Sequence, residues 1–482
     1  MPTIAAIATP RGTGGIGIIK ISGKDAVSAV KAIFVPSPGS CTKIKFLHSS
    51  LRRNEEPSTP LSLYPSFKSR HLYYGHIKEP ESQRIIDEVL LAVMYAPRSY
   101  TGEDVVEIQA HSGSVVLRAI LELILNQGAR LAEPGEFTKR AYLNGRIDLT
   151  QAEAVMDMIN ARSDKALQIA SSQIRGELKN CVESVRNTLL SIMAEIEAAI
   201  DFPDDVKDNI NIESLTETIQ KEVIDRLNRL ICHYKDAHFL RDGLNVVIVG
   251  KPNVGKSSIM NCLLQKDRAI VTPVPGTTRD IIEESLNIEG IPLIISDTAG
   301  LHESDDPVEA IGMKKSREAL SNADMILFII DAGQSLTHED YAVYEAIADK
   351  KHILVMNKSD LIKDESELKI PDNWNNLICI KTSALYKTGI DELKSFIAKI
   401  CTDSSVEIDE ESGIIPNLRH KIALENSLSA AFSMLEGIKT GIPFELISID
   451  IQDSIDALGE ITGVTTRDDL LDQIFSRFCI GK

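Results

Sequence analysis

Residues 244–257 read LNVVIVGKPNVGKS, and the rest of the chain is organised around them. The apolar run 246–249 ends at Gly250, and GKPNVGKS then follows the G-x-x-x-x-G-K-S form of a phosphate-binding loop. Glycines at 250 and 255 let the backbone turn so that successive N–H groups face an anion, and Lys256 adds a point charge near the β and γ phosphates. Ser257, at the start of the expected helix, offers a hydroxyl to Mg²⁺, with Ser258 beside it on the phosphate side. Apolar runs at 245–249, 293–296, 325–330, 353–357 and 378–380, with helices between several of them, predict a mostly parallel sheet covered on both faces. The ligand then belongs at the carboxyl ends of those strands.

Three further stretches sit at such ends. Asp297-Thr298-Ala299-Gly300 follows LIIS: the Asp297 carboxylate can approach the Mg²⁺ shell and the Gly300 amide a γ phosphate, though a plain Asx turn is the bland alternative. Asn357-Lys358-Ser359-Asp360 follows ILVM. Its Asp360 can accept the paired N–H donors of guanine, Asn357 can meet the N7/O6 side, and the Lys358 stem can cover the base plane. Ser383-Ala384-Leu385 can present backbone N–H groups to O6. In this order the motifs select GTP over ATP, because leaving buried polar groups unmatched makes the wrong base costly.

The catalytic machinery departs from the common pattern. Many small GTPases place a water-positioning glutamine directly after DTAG, where this chain has Leu301, which cannot polarise water. Glu309, in LHESDDPVEAIG, is the candidate for that role; Glu303, Asp305 and Asp306 compete, and as an ordinary solvated-face glutamate, the reading the residues alone favour, it needs no explanation. TPVPGTTRD at 272–280 reads as a first switch. There Thr277 and Thr278 offer oxygen to Mg²⁺ or phosphate, and Arg279 either stabilises phosphate charge or forms a switch salt bridge. The side-chain oxygen of Asn253 can hold a monovalent cation near the phosphates, or merely cap the loop.

Around this GTPase segment, 482 residues call for three or so domains. Residues 1–148 carry mixed signals: strands at 16–23, 87–97 and 104–110, a helix at 114–126, and a loop rich in proline, serine and charge between 34 and 69. No G-x-G-x-x-G opens a helix there, so a small α+β domain is expected rather than a dinucleotide fold. Helical periodicity fills 149–200 and 212–239, then returns at 417–435, 443–458 and 468–478. The economical arrangement is one discontinuous helical domain, 149–242 with 403–482, and a GTPase domain at 243–402 inserted between its halves. Two unrelated helical domains are the alternative. A formal charge of −18 disfavours broad nonspecific nucleic-acid binding. Seven cysteines without a C-x-x-C pair argue for a reducing compartment. With no signal-peptide pattern and no membrane-length apolar run, a soluble cytoplasmic protein is expected.

Taken together, GKPNVGKS, GTTRD, DTAGL, NKSD and SAL, ending in Cys479-Ile480-Gly481-Lys482, closely resemble the MnmE/TrmE family of tRNA-modification GTPases. So do the flanks TP-x-G-x-GG-x-GI-x-x-ISG, YTGEDVVE at 100–107 and PGEFTKRAYLNGRIDLTQAEA at 134–154. The resemblance covers essentially the whole chain. It implies an N-terminal domain for folate binding and dimerisation, a central helical domain, and an inserted guanine-nucleotide domain. It also implies a homodimer that works with the flavoprotein MnmG on the tRNA wobble uridine, where a tetrahydrofolate derivative (5-formyl or methylene) supplies one carbon to C5. Hydrolysis is implied to need Mg²⁺ and K⁺, with Asn253 as a potassium ligand, Thr277–Thr278 in the potassium-responsive switch, Glu309 catalytic and Arg279 assisting. The family's folate contacts fall on Lys20, Glu107, Arg146 and Lys482, where Lys20 and Arg146 differ in type from some members but keep the positive charge. Cys479 matches a functionally important cysteine, although near a terminus it can also serve as a small packing hydrophobe. His302 stands where an arginine often follows DTAGL. A ribosome-assembly GTPase with scaffold or RNA-binding flanks is the competing reading.

Overall fold

The structure, a computed structural model, describes residues 1–10, 12, 14–37, 67–202, 211–267, 283–288, 291–297, 320–321, 323–362, 371, 374, 378–402 and 414–482. The chain forms two compact units, residues 1–156 with 462–482, and residues 157–461.

The first unit is built on seven strands: β1 (Ile4–Ile7), β2 (Ile16–Ser22), β3 (Phe34–Pro36), β4 (His71–Lys78), β5 (Ile85–Met94), β6 (Val105–His111) and β7 (Arg130–Leu131). They lie in the order β3-β4-β5-β6-β2-β1-β7, antiparallel except for β1 with β7. In β2, Gly17, Ile19 and Ile21 are buried while Ile18 and Lys20 are less so, the period-2 alternation of a sheet with one packed face. The helix Ser114–Asn126 brings Leu117, Ile120 and Ile124, spaced to share one face, onto that core. Gly17 makes the approach possible, since a Cβ there would stand 2.6 Å from Leu117 Cδ1.

The helices Glu136–Leu143 and Leu149–Asn160 complete this unit with Asp468–Ser476 from the far end of the chain. Leu149 and Ala152 share a core with Leu471, Phe475 and Phe478. The tail is held closely: a Cβ on Gly481 would meet Ala8 Cα at 2.7 Å, and its φ of +91° is open to glycine.

Beneath the sheet lies a buried ionic network. Arg140, 1% exposed, donates to Glu136 Oε1 (2.8 Å), Glu103 Oε2 (2.9 Å) and the Pro2 carbonyl (2.8 Å). Burial alone pushes the Glu136 carboxyl up; the Glu133 N–H, Arg140 and Arg130 outweigh it and hold that group below the usual carboxylate range. A depressed carboxylate stabilises the fold above its unfolded pKa, and that contribution is lost as pH falls through the folded value. Glu136→Gln is therefore expected to cost about 3 kcal/mol near neutrality, as removing one partner of a buried pair does. It should also flatten the loss of stability below the unfolded value of 4.5. Thermal melts of wild type and variant at pH 7 and pH 4 check both; parallel pH dependences would contradict the assignment.

In the second unit, Asp164–Ile174, Glu177–Asp201, Ile212–Thr218, Asp225–Asp242, Leu418–Thr440 and Phe444–Thr462 are helical. Leu189, Ile196, Leu227, Leu424, Ile451 and Leu458 fill the core between them. Its sheet has strands β8 (Leu244–Val249), β9 (Glu283–Ile288), β10 (Ile291–Asp297), β11 (Met325–Asp331), β12 (His352–Asn357) and β13 (Cys379–Lys381), in the order β13-β12-β11-β8-β10-β9. All neighbours are parallel except β9 with β10. Alternate residues serve opposite faces: Val246, Ile248, Leu327 and Ile329 enter one core, and Val247, Val249, Phe328 and Ile330 the other. A strand buried on both sides has to be apolar throughout, so these runs show no alternation in sequence. The sheet is thus mostly parallel, as expected, and the antiparallel edge strand β9, EESLNI, adds a strand beyond the five expected runs.

Candidate functional site

The parallel strands β8, β11 and β12 bring their carboxyl ends together. From β8 the chain turns at Gly250, where a Cβ would lie 2.2 Å from the Ile329 carbonyl oxygen, and reaches Gly255, where one would lie 2.2 Å from Asn357 Nδ2. Both positions must lack a side chain for the loop to lie this close to its neighbours. Asn253 takes a left-handed φ of +64°, a conformation asparagine tolerates better than most residues. The helix Lys256–Asp267 follows directly, with Ser257 and Ser258 exposed in its first turn. Lys256 Nζ donates to the carbonyls of Gly250 (2.8 Å) and Lys251 (3.0 Å), which places the ammonium inside the loop.

The guanine-type residues close the same end of the sheet. Asn357, 2% exposed, donates from Nδ2 to the Val254 carbonyl (2.8 Å) and accepts on Oδ1 from the Ala384 N–H (3.1 Å). One buried amide thus ties the phosphate loop to the Ser383–Leu385 segment. Lys358, at φ +62°, spans from Asn253, whose carbonyl it meets at 2.8 Å, to the Asp331 carboxylate, also at 2.8 Å. Ser383 Oγ donates to Asp360 Oδ1, orienting a carboxylate that is itself exposed. Leu385 is 75% exposed.

Asn253, Gly255, Lys256, Ser257, Ser258, Asn357, Lys358, Asp360, Ser383, Ala384 and Leu385 are therefore gathered at one end of one sheet. Asp297 ends β10 with its backbone in register with Ile248, beside the strand that feeds the loop; its side chain lies outside the described residues. So do Thr277, Thr278, Arg279, Gly300 and Glu309. Asp331 escaped the sequence reading, although an acid closing the apolar run MILFII was a usable signal.

The first unit holds a separate cationic cluster. Lys20 on β2 stands opposite Glu107 on β6. Its ammonium lies 5.1 Å from the Tyr100 ring centre and 5.5 Å from that of Phe137. Arg146 covers the same Tyr100 ring at 5.0 Å and donates to the Tyr100 carbonyl at 2.7 Å. Burial lowers the Lys20 pKa; Glu107 opposes the shift and the nearby charge of Lys482 adds to it. Burial likewise raises the Tyr100 phenol, against a hydrogen bond from Thr138 and the charge of Arg146. Cys479 is exposed, with its carbonyl accepting from Gly135 N–H at 3.4 Å and from Lys482 N–H at 3.3 Å. Lys20, Glu107, Arg146 and Lys482 are thus brought into one neighbourhood. The aromatic floor of Tyr100 and Phe137 was missed, because nothing in the sequence says which cations those rings will face. Three cations, one acid and two rings form a donor set that fits a flat, amide-rich heterocycle carrying carboxylates.

A phosphate loop opening a helix, locked by a buried asparagine to an NKSD clamp on the neighbouring strand ends, defines a P-loop GTPase. Residues 149–479 match the MnmE helical domain, and residues 3–146 match the N-terminus of the GTP-binding protein TrmE. The tRNA modification GTPase MnmE of Carboxydothermus hydrogenoformans is 44% identical over 100% of this chain and 99% of that protein. Its namesake in Clostridioides difficile is also 44% identical, with 100% and 99% covered. The one in Staphylococcus aureus is 41% identical over the full length of both. The chain belongs to the MnmE/TrmE family. Among the described residues no helix is long and apolar enough to cross a membrane.

Proposed function

We propose that the protein hydrolyses GTP in the service of tRNA modification. As a homodimer in the cytoplasm, it acts with the flavoprotein MnmG at C5 of the wobble uridine, using a one-carbon unit from a tetrahydrofolate derivative. The observation that carries this reading is the presence in one chain of a guanine clamp and of the cluster Lys20–Tyr100–Arg146–Lys482. Residues 1–148 form the folate-binding and dimerisation domain, and 243–402 the GTPase domain inserted between helical segments 149–242 and 403–482, of which 149–156 and 462–482 pack with the first unit.

Lys256 exchanges the carbonyls of Gly250 and Lys251 for the β and γ phosphates, while Asp360 and Asn357 hold the base. Ser257, Thr278 and Asp297 would hold Mg²⁺, and Asn253 with Thr277 would hold K⁺. When bound, these ions supply positive charge where the transition state gathers negative charge. Glu309 orients the attacking water, and Arg279 supports the switch. In the first unit Lys20, Tyr100, Glu107, Phe137, Arg146 and Lys482 would hold the tetrahydrofolate derivative, which when bound would supply the one-carbon unit. Cys479 lies beside that site.

Hydrolysis is expected to run faster in potassium than in sodium at matched ionic strength. Asn253→Gly keeps the left-handed backbone while removing the amide oxygen, so it should lose most of that preference without losing GTP. Equal wild-type rates in the two salts would reject the cation site. The full reading is tested by combining the protein with the flavoprotein, folate, GTP and tRNA bearing uridine 34, followed by nucleoside analysis. Modified uridine is expected; none, in a mixture that hydrolyses GTP, would favour the ribosome-assembly reading.

A further inference from the structure

The phosphate loop is held by a residue that belongs to no nucleotide motif. Asp340, in the first turn of the helix His338–Ile347, is 1% exposed. Its Oδ2 accepts from Thr337 N–H (2.8 Å), from Thr337 Oγ1 (2.8 Å) and from Lys251 Nζ (3.0 Å). The first of these is half of a capping box, whose other half is the Asp340 N–H on the Thr337 side chain, and the second is a local side-chain bond; a neutral acceptor suffices for both. The third reaches 89 residues back along the chain to the second residue of the phosphate loop. A carboxylate this deeply buried is costly unless a cation compensates it, and the Lys251 side chain, 11% exposed, is that cation.

We propose that Asp340 is a positioning residue for nucleotide binding, fixing the phosphate loop through its ion pair with Lys251. The carbonyl of Lys251 is one of the two that receive Lys256 Nζ, so the pair acts one hydrogen bond away from the phosphate-binding ammonium. The loop is pinned at three points: Lys251 by Asp340, the Asn253 carbonyl by Lys358, and the Val254 carbonyl by Asn357. Two of these pins belong to the base-reading motif and tighten with the base. The Asp340 pin comes from a different element, the helix His338–Ile347, and involves no base-reading residue. Ordering backbone on binding costs conformational entropy, so a loop already fixed binds its phosphates without that loss. This inference rests on guanine-nucleotide binding by the wild type, which is its positive control.

The test measures affinity and dissociation of fluorescent GDP with Mg²⁺ in the full chain. Asp340→Asn keeps an acceptor for Thr337 and removes the charge, and Lys251→Met keeps length and removes the cation. Each is expected to weaken binding about tenfold, mainly by faster dissociation. The double variant should also lose about tenfold, not a hundredfold, because one interaction has been removed twice. Lys251→Arg should bind as wild type. A purely structural role would instead lower the unfolding midpoint and leave affinity unchanged. Trp374, the chain's one tryptophan, reports that midpoint from beside the same helix, 5.5 Å from Tyr341 and 4.4 Å from Tyr344. Unchanged affinity in both single variants, or multiplying losses in the double, would overturn the proposal. If Asp340→Asn fails to fold, Lys251→Met against Lys251→Arg decides alone, and equal affinities for those two overturn it.

Discussion

Asp360→Asn is expected to weaken GTP binding by roughly 10²–10⁴-fold and to create affinity for xanthosine triphosphate. Guanine presents two donors, N1–H and the 2-amino group, to one carboxylate. Charge-assisted bonds of this kind contribute about 1.5–3 kcal/mol each. An asparagine accepts the first donor but confronts the second with its own N–H₂. Xanthine has an acceptor at that position, so the same amide suits it. Ser383 Oγ, which donates to Asp360 Oδ1, can donate equally to an amide oxygen, so the segment should keep its shape. Equilibrium titration with both nucleotides settles the matter. Unchanged GTP affinity would mean that the base is read elsewhere.

The second large effect is on chemistry rather than binding. With Leu301 after DTAG, the chain lacks the usual side chain for orienting water. Glu309→Gln should bind GTP normally, while single-turnover hydrolysis falls by about 10²–10⁴-fold, the range of a lost general base. Glu303→Gln and Asp305→Asn, in the same segment, should stay within a few-fold of wild type by the same measure. Near-normal hydrolysis by Glu309→Gln would remove it from the mechanism and leave its neighbours as candidates.

The parallel strands of the second unit were legible because strands buried on both faces must be largely apolar. All five runs read from 245 to 380 became strands, with ends moving by one or two residues. The edge strand β9 was not, since EESLNI holds just two apolar residues, Leu286 and Ile288, which are buried but too few to stand out as a run. In the first unit four strands were not read: β1 and β7, only four and two residues long, β3, which falls in a stretch that reads as loop, and β4, whose HLYYGHIK mixes polar residues and a glycine with its apolar ones. The helical run 149–200 is interrupted after Asn160 and again at Gly176, whose φ of +84° permits the break.

Site residues split along a similar line. Lys256, Asn357 and Asp360 carry their chemistry in contiguous motifs, so spacing alone reveals them. Asp340 looks like the fourth residue of an ordinary T-x-x-D cap, and Tyr100 like one more aromatic. Their roles come from partners 89 residues away for Asp340 and, for Tyr100, on β2 and near Arg146. No periodicity encodes such meetings, because they are products of the fold rather than of local sequence.

The first unit borrows its last helix and tail from residues 462–482, and this imposes an order on synthesis. At about 5–20 residues per second, the roughly 300 residues of the intervening unit take on the order of 15–60 s to leave the ribosome. For that interval Leu149 and Ala152 lack Phe475, and the neighbourhood of Lys20 and Arg146 lacks Lys482. The nascent seven-stranded sheet must therefore wait with an apolar seam uncovered, a window in which chaperones or premature association can act on it. The cationic cluster is assembled last, after the GTPase sheet has had time to fold.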